Sequence, residues 1–198
     1  MGMYGATGIE VSRVGLGAGG LDGLEAPEAV RLIHHALDLG VTFIDTAPSY
    51  GRSEALIGEA LFGQRRAHAV VSTKLGYGVP GEADWTGPCI AKGVDQALQR
   101  MRMDHIDIAH LHSCPAEVLE REGVVDALLG AKEAGKVRAV AYSGDGHALH
   151  TAWMMGVFDG FQATGSVLDR HNLPTLALAE YGGRVGKRVL ANAPWRFQ

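Results

Sequence analysis

Four side chains that could do chemistry follow three successive apolar runs of the sequence. Asp45 follows Thr42–Ile44, Tyr50 lies five residues later, Lys74 ends the run AVVSTK, and His112 ends IDIAHLH. Short apolar runs predict buried strands of a parallel sheet. In a parallel barrel the carboxyl ends of all strands meet on one rim, so we expect the four side chains to converge there.

These residue types suit the reduction of a carbonyl group. Hydride delivered to the carbonyl carbon leaves negative charge on the oxygen, which then needs a proton donor. A free tyrosine, with a pKa of about 10, is a poor acid near neutrality, but a neighbouring ammonium lowers that pKa. We therefore expect Lys74 to activate Tyr50 as the general acid, with Asp45 keeping Lys74 charged. His112 is expected to orient the substrate oxygen by donating a hydrogen bond.

Each of these residues also has a purely structural explanation. Asp45 can cap a turn, Tyr50 can anchor a loop, and Lys74 can be an exposed strand end. Four such coincidences in register are much rarer than one, so the set favours a functional site.

The elements that must position these residues alternate between strands and helices. The strand candidates are Val14–Leu16, Thr42–Ile44, Val70–Thr73, Ile106–Leu111, Val137–Tyr142, Phe161–Ala163 and Val189–Ala191. The helix candidates begin at Pro27, Ser53, Lys92, Glu117, His147 and Pro174, and Gly123 is expected to interrupt the fourth. This alternation predicts an α/β fold built from βαβ units. The longest loop, Leu75–Gly87, follows the third strand and could cover a site.

The ordered set of residues resembles the aldo-keto reductase family. That family has an Asp–x4–Tyr–Gly segment after the second strand, a Lys after the third and a His after the fourth. The segments SEALIGEAL and GKVRAVAYS, and Asp107 before His112, are similar as well, and the similarity runs from about Val11 to the C-terminal end. The resemblance implies a TIM-type (β/α)8 barrel. It also implies an NAD(P)H-dependent oxidoreductase that reduces an aldehyde or ketone, or catalyses the reverse, with Tyr50 as general acid/base.

The resemblance further implies a nicotinamide site, with NADP(H) preferred to NAD(H). Ser143 and Gln162 match the family's residues that hold the nicotinamide amide, whereas Gly144 replaces an Asn and Gly165 replaces an aromatic residue. Turn capping and a polar strand end explain Ser143 and Gln162 almost equally well. Gly17, on the rim of the first strand, would let a ligand approach the backbone closely.

The chain is expected to form one aldo-keto reductase-like domain, residues 1–198, without the eighth strand–helix unit. A complete barrel has eight units and typically about 250 residues, whereas the run RVLANAPW near the end is similar to the family's seventh strand. An open barrel exposes strand edges, and self-association through the open edge is one option.

Composition and charge exclude several classes of protein. The chain is 46% hydrophobic and 20% charged, with a net charge of -4 and no basic run, so nucleic acid is not an expected partner. No apolar run is long enough to span a bilayer, and the first residues lack the pattern of a secretory signal. Cys89 and Cys114 have no disulfide or zinc-ligand spacing, which fits a reducing cytoplasm.

Two other functions stay open at this point. A non-catalytic relic of the barrel would bind a ligand or partner through its open edge. Alternatively, His110 and His112 are two apart on one strand and should point the same way. With Asp45 they could bind a divalent metal in a different class of barrel enzyme. No third-ligand pattern such as H-E-x-x-H is present, so no metal is expected.

Overall fold

Buried apolar runs form the strands of the central sheet, and helices return the chain from the end of one strand to the start of the next. The structure, a computed structural model, describes residues 1–121 and 123–191. The strands are β1 (Gly2–Met3), β2 (Glu10–Val11), β3 (Gly15–Gly17), β4 (Phe43–Asp45), β5 (Val70–Leu75), β6 (Ile106–His112), β7 (Val137–Ser143), β8 (Gly160–Thr164) and β9 (Gly183–Lys187). The strands β3 to β9 form one seven-stranded parallel sheet in sequence order. This sheet curls into a half-barrel whose described edges are β3 and β9.

Helices cover the outer face of the curled sheet. They are α1 (Ala26–Asp38), α2 (Ser53–Ala60), α3 (Gly87–Met101), α4 (Ala116–Leu119), α5 (Val124–Glu133), α6 (Gly146–Met154) and α7 (Leu173–Leu178). Helix α3 begins at Gly87 instead of Lys92, because the Thr86 hydroxyl accepts a hydrogen bond from the Cys89 amide and caps it. The predicted interruption at Gly123 is present and separates α4 from α5. None of the helices in the described ranges is long and apolar enough to cross a bilayer.

The predicted position of the seventh barrel strand is wrong. The apolar residues Val189 and Leu190 are exposed in a turn, and the strand is Gly183–Lys187, which pairs with β8 from Gly160↔Gly183 to Thr164↔Lys187. This segment, GRVGK, has two glycines and two basic residues around a single valine, so it carries no apolar run. The residues 192–198, which complete the run RVLANAPW, lie outside the described ranges.

A short hairpin that the sequence patterns did not indicate closes the amino end of the half-barrel. Strands β1 and β2 are antiparallel, and the segment between them contributes the buried side chains of Tyr4 and Ile9. These two residues pack inside the sheet in a small apolar cluster with Phe43, Val70, Ile108, Ala139 and Ala141. The hairpin therefore covers the end of the half-barrel opposite the rim and shields its apolar side chains from solvent.

Glycines on β8 and β9 make room for the Tyr4 ring, so adding a methyl group there should destabilise the fold. A Cβ at Gly160 would collide with the Tyr4 hydroxyl. We expect Gly160→Ala to lower the free energy of unfolding by about 1–3 kcal/mol. In the matched control Gly130→Ala, a Cβ in α5 would meet nothing within 4 Å, and helix propensity should raise stability by about 0.5–1 kcal/mol. Urea denaturation compares the two variants, and equal effects would contradict this packing.

Candidate active site

The carboxyl ends of neighbouring strands bring the four sequence-selected side chains together on one rim. Asp45 ends β4, Lys74 lies near the end of β5, His112 ends β6, and Tyr50 lies in the loop between β4 and α2. The Lys74 Nζ donates to Asp45 Oδ2 at 2.7 Å and to the Thr46 carbonyl at 2.7 Å. The Lys74 side chain is only 1% exposed. The carboxylate partner offsets part of the desolvation cost of burying this side chain.

The Tyr50 ring lies between Lys74 and His112. Its centroid is 5.1 Å from Lys74 Nζ and 6.2 Å from the centroid of the His112 ring, which stands perpendicular to it. Gly51, at φ 58°, turns the chain after Tyr50, and a Cβ there would collide with the Asp22 carboxylate. The loop that carries Tyr50 therefore requires glycine at position 51 to adopt this conformation.

Electrostatics at Tyr50 differ from the sequence expectation. Burial raises the pKa of Tyr50, the Asp45 carboxylate raises it further, and Arg188 lowers it in part. The net shift is upward, so the lowering expected from Lys74 does not prevail over burial and the charge of Asp45, with which Lys74 is paired at 2.7 Å. Tyr50 therefore keeps its proton at neutral pH.

A chain of hydrogen bonds inside the barrel fixes the Asp45 carboxylate. The Ser72 hydroxyl donates to Asp45 Oδ1 at 3.0 Å and lies 2.9 Å from His110 Nε2. Because the single hydroxyl proton points to Asp45, His110 must donate from Nε2. Its Nδ1 is then an acceptor, buried and without a partner among the described residues. Both Ser72 and His110 were missed as supports of the site, although Ser72 precedes Lys74 by two residues and so shares its face of the strand.

His112 is a neutral imidazole in this environment. Burial, followed by the charges of Lys74 and Lys187, lowers the pKa of His112 to about 4. Its Nδ1 lies 2.8 Å from the hydroxyl of Tyr77, a residue of the loop after β5 that no sequence pattern singled out. A neutral ring has one N–H donor, so His112 can offer one hydrogen bond to a ligand while Tyr77 occupies the other nitrogen.

The residues expected to hold a nicotinamide lie beside these side chains. The Ser143 hydroxyl donates to Gln162 Oε1 at 2.7 Å, so one end of the Gln162 amide is fixed and its NH2 remains as a donor. A Cβ at Gly17 would meet nothing within 4 Å, so the protein's own packing does not require this glycine. Both Gly17 and Gln162 line a cavity of about 750 Å³ that lies between the edge strands β3 and β9 and extends from the rim to the amino-terminal hairpin. The described residues therefore fit the amide end of a nicotinamide, without an aromatic ring at Gly165.

Two cations at the mouth of this cavity were also missed. Lys187 ends β9, Arg188 follows it, and both line the cavity. Arg188 donates to Thr164 Oγ1 at 3.1 Å, and the Lys187 Nζ lies 3.9 Å from Asp145 Oδ2. Burial lowers the pKa of Lys187. Because their strand lacks an apolar run, only the sheet pairing reveals that they face the site.

The residues proposed for a metal do not form a binding site. Within residues 1–121 and 123–191, no three His, Cys, Asp or Glu side chains are arranged to hold a metal ion. His110 is engaged by Ser72 and His112 by Tyr77.

The two buried imidazoles should make the protein sensitive to mild acid. Burial is the main cause that lowers the pKa of His110 to about 3 and the pKa of His112 to about 4. A histidine in the unfolded chain has a pKa of about 6.5. Below pH 6.5 the unfolded chain therefore takes up protons that the folded chain does not. We expect the free energy of unfolding to be constant above that pH and to fall as the pH drops toward 4. The slope is at most about 1.4 kcal/mol per pH unit for each histidine, and less for the half-buried His112.

Urea titrations between pH 7 and pH 5 test this expectation. His110→Gln should flatten the profile, whereas the matched control His147→Gln, at an exposed position, should leave the slope unchanged. A wild-type profile that is flat over this range would show that the imidazoles are not held neutral by burial.

Comparison with known proteins places the chain in one family. A family model described as the Aldo/keto reductase family matches residues 13–159. The L-galactose dehydrogenase of Arabidopsis thaliana is 33% identical over 150 residues, which cover 71% of this chain and 47% of that protein. The NADH-specific methylglyoxal reductase of Escherichia coli is 32% identical over 191 residues, which cover 84% and 59%. The chain spans about half the length of the curated relatives it matches.

Solved structures agree with this assignment. A crystal structure from Pseudomonas aeruginosa, provisionally assigned as an aldo-keto reductase, superposes with a TM-score of 0.85 and 32% identity. The match covers 98% of this chain and 80% of that one. The predicted fold class is confirmed, since the curled sheet corresponds to seven strands of such a TIM-type barrel. The chain is shorter than these structural neighbours.

Proposed function

The chain belongs to the aldo/keto reductase family, and we propose that it transfers hydride between a nicotinamide cofactor and the carbonyl group of an aldehyde or ketone. The supporting observation is the convergence of Tyr50, Lys74 and His112 on one rim, beside a cavity that Gly17 and Gln162 line. A nicotinamide cofactor, when bound, supplies or accepts the hydride. The protein's own residues must then orient the carbonyl and move one proton.

Tyr50 is the proton donor in this proposal. Its raised pKa keeps the hydroxyl protonated at neutral pH, and an alkoxide is a much stronger base than a phenolate. The proton therefore passes from the Tyr50 oxygen to the oxygen that has gained charge. The phenolate left behind is stabilised by Lys74, whose Nζ lies 5.1 Å from the ring centroid, and by Arg188. Solvent then returns a proton to the Tyr50 oxygen.

His112 orients the substrate carbonyl during the proton transfer, and Asp45 positions Lys74. A neutral His112 can donate one hydrogen bond to the carbonyl oxygen without competing for the proton. Asp45 holds Lys74 in place and charged through the 2.7 Å ion pair. Because the Ser72 hydroxyl holds the second oxygen of Asp45, the pair has one orientation before a ligand arrives. Preorganisation of this kind lowers the barrier more than charge alone.

The cofactor is held in this proposal by residues on four strands, β3, β7, β8 and β9, and by Arg188 just after β9. Gln162, backed by Ser143, offers its NH2 to the nicotinamide carboxamide, and Gly17 leaves room for close approach. Lys187 and Arg188 offer positive charge to the cofactor's phosphates. The choice between NADP(H) and NAD(H) is part of the test, since one relative is an NADH-specific enzyme.

Titration with each reduced cofactor, followed by turnover, tests this proposal. We expect NADPH or NADH to quench tryptophan fluorescence with saturation, and an aldehyde panel to drive oxidation of the bound form. A chelator should leave the rate unchanged. Binding without oxidation of any carbonyl would favour the non-catalytic relic, and absence of binding by both cofactors would refute the proposal.

A further inference from the structure

The loop after β5 places an aromatic hydroxyl against His112. The Tyr77 oxygen lies 2.8 Å from His112 Nδ1. The two rings also stack, with centroids 5.5 Å apart and an interplanar angle of 25°. A hydrogen bond and a stacking contact together fix both the rotation and the protonation of an imidazole.

The protonation state of His112 decides what this contact does. Burial and the charges of Lys74 and Lys187 disfavour the imidazolium, and Asp45 opposes them only in part. The ring therefore carries one proton at neutral pH, on either Nδ1 or Nε2. If Nδ1 holds the proton, Nε2 can only accept, and the ring cannot donate to a carbonyl oxygen.

The chemistry of the Tyr77–His112 contact favours one of the two tautomers. A phenol is a much stronger acid than a neutral imidazole N–H, and an imidazole nitrogen is a better acceptor than a phenol oxygen. The stronger hydrogen bond therefore runs from the Tyr77 hydroxyl to His112 Nδ1. The ring proton is then placed on Nε2.

We propose that Tyr77 is a positioning residue that fixes His112 as the Nε2–H tautomer and so makes it a hydrogen-bond donor to the substrate. The effect of Tyr77 on the tautomer follows from the hydrogen bond and the ring contact with His112 and does not depend on the proposed function. Its consequence for a carbonyl substrate rests on the proposed function.

The loop itself is built to hold Tyr77 in this place. The Trp85 ring meets the edge of Tyr77 with centroids 5.7 Å apart, and the Trp85 amide donates to the Gly76 carbonyl at 2.7 Å. Gly76 has φ 142°, and a Cβ there would collide with the Trp85 ring. The Gly78 amide donates to Asp84 Oδ1 at 2.9 Å and ties the same turn together. Trp85 thus supports Tyr77.

Long-range proton–nitrogen NMR of the imidazole rings measures the tautomer directly. The protein has nine histidines, so comparison with His112→Gln assigns the signals of interest. We expect wild-type His112 to show one protonated nitrogen, Nε2. In Tyr77→Phe, which keeps the ring and its packing, we expect a mixture of the two tautomers. The matched control Tyr181→Phe removes the hydroxyl of a side chain that is 83% exposed and should leave His112 unchanged.

Steady-state kinetics then tests the consequence for turnover. The Tyr77→Phe variant should lower kcat about tenfold, the size of effect that one lost hydrogen bond produces, with a smaller change in KM. A wild-type proton on Nδ1, or an unchanged His112 spectrum in Tyr77→Phe, would overturn the positioning role. If the tautomer behaves as expected but no carbonyl is reduced, the proposed function fails and the control of the tautomer by Tyr77 stands.

Discussion

Replacing Tyr50 by phenylalanine should lower the rate of carbonyl reduction at least a hundredfold while cofactor binding is retained. General acids contribute about 10²–10⁴ to a rate, or about 3–5 kcal/mol in the barrier. Phenylalanine keeps the ring that lies 5.1 Å from the Lys74 ammonium and 6.2 Å from the His112 ring. The packing of the rim should therefore survive, and the loss should fall on kcat.

Oxidation of the reduced cofactor by a carbonyl substrate measures this effect in Tyr50→Phe and wild type side by side. Tyr181→Phe removes the same group from an exposed position and should match wild type. Quenching by the cofactor in the variant shows that its pocket is intact. Equal turnover of Tyr50→Phe and wild type would remove Tyr50 from the proton step and leave the family assignment untouched.

Replacing Asp107 by alanine should cause a large loss of stability without altering the chemistry. This carboxylate, 1% exposed, accepts from Arg66 at 2.8 Å, from Arg138 at 2.7 Å and from the Val71 amide at 2.9 Å. Removing it leaves a buried amide unsatisfied and separates two cations from their partner. Because both arginines are partly exposed and can rehydrate, we expect a loss of about 3 kcal/mol, the low end for a broken buried pair.

Urea denaturation of Asp107→Ala measures this loss. The matched control Asp38→Ala breaks an exposed ion pair, with Arg65 at 3.2 Å, and should change the free energy of unfolding by less than about 1 kcal/mol. Asp107 lies near the start of β6, whereas His112 ends that strand. The folded variant should therefore keep its kcat, and a loss of turnover in fully folded protein would show that Asp107 acts on the rim as well.

The catalytic candidates could be placed from sequence because parallel strands follow a simple rule. Residues at or just after the carboxyl ends of successive strands share a rim, so reading Asp45, Tyr50, Lys74 and His112 in order was enough to group them. The apolar runs that end at these residues are buried strands, and their two-residue period distinguishes inward from outward side chains. The sequence also indicated the family, through motifs that span most of the chain.

Other features were decided only by tertiary contacts. The pair Tyr77–His112 joins residues far apart in the chain, and the sheet edge at Gly183–Lys187 is set by pairing with β8 and by space for Tyr4. The upward direction of the Tyr50 pKa shift comes first from its burial and then from the nearby Asp45 carboxylate, neither of which residue types specify. Periodicity in the sequence reports which face of an element is buried. Hydrogen bonds and electrostatic interactions depend instead on distances of a few ångströms between elements.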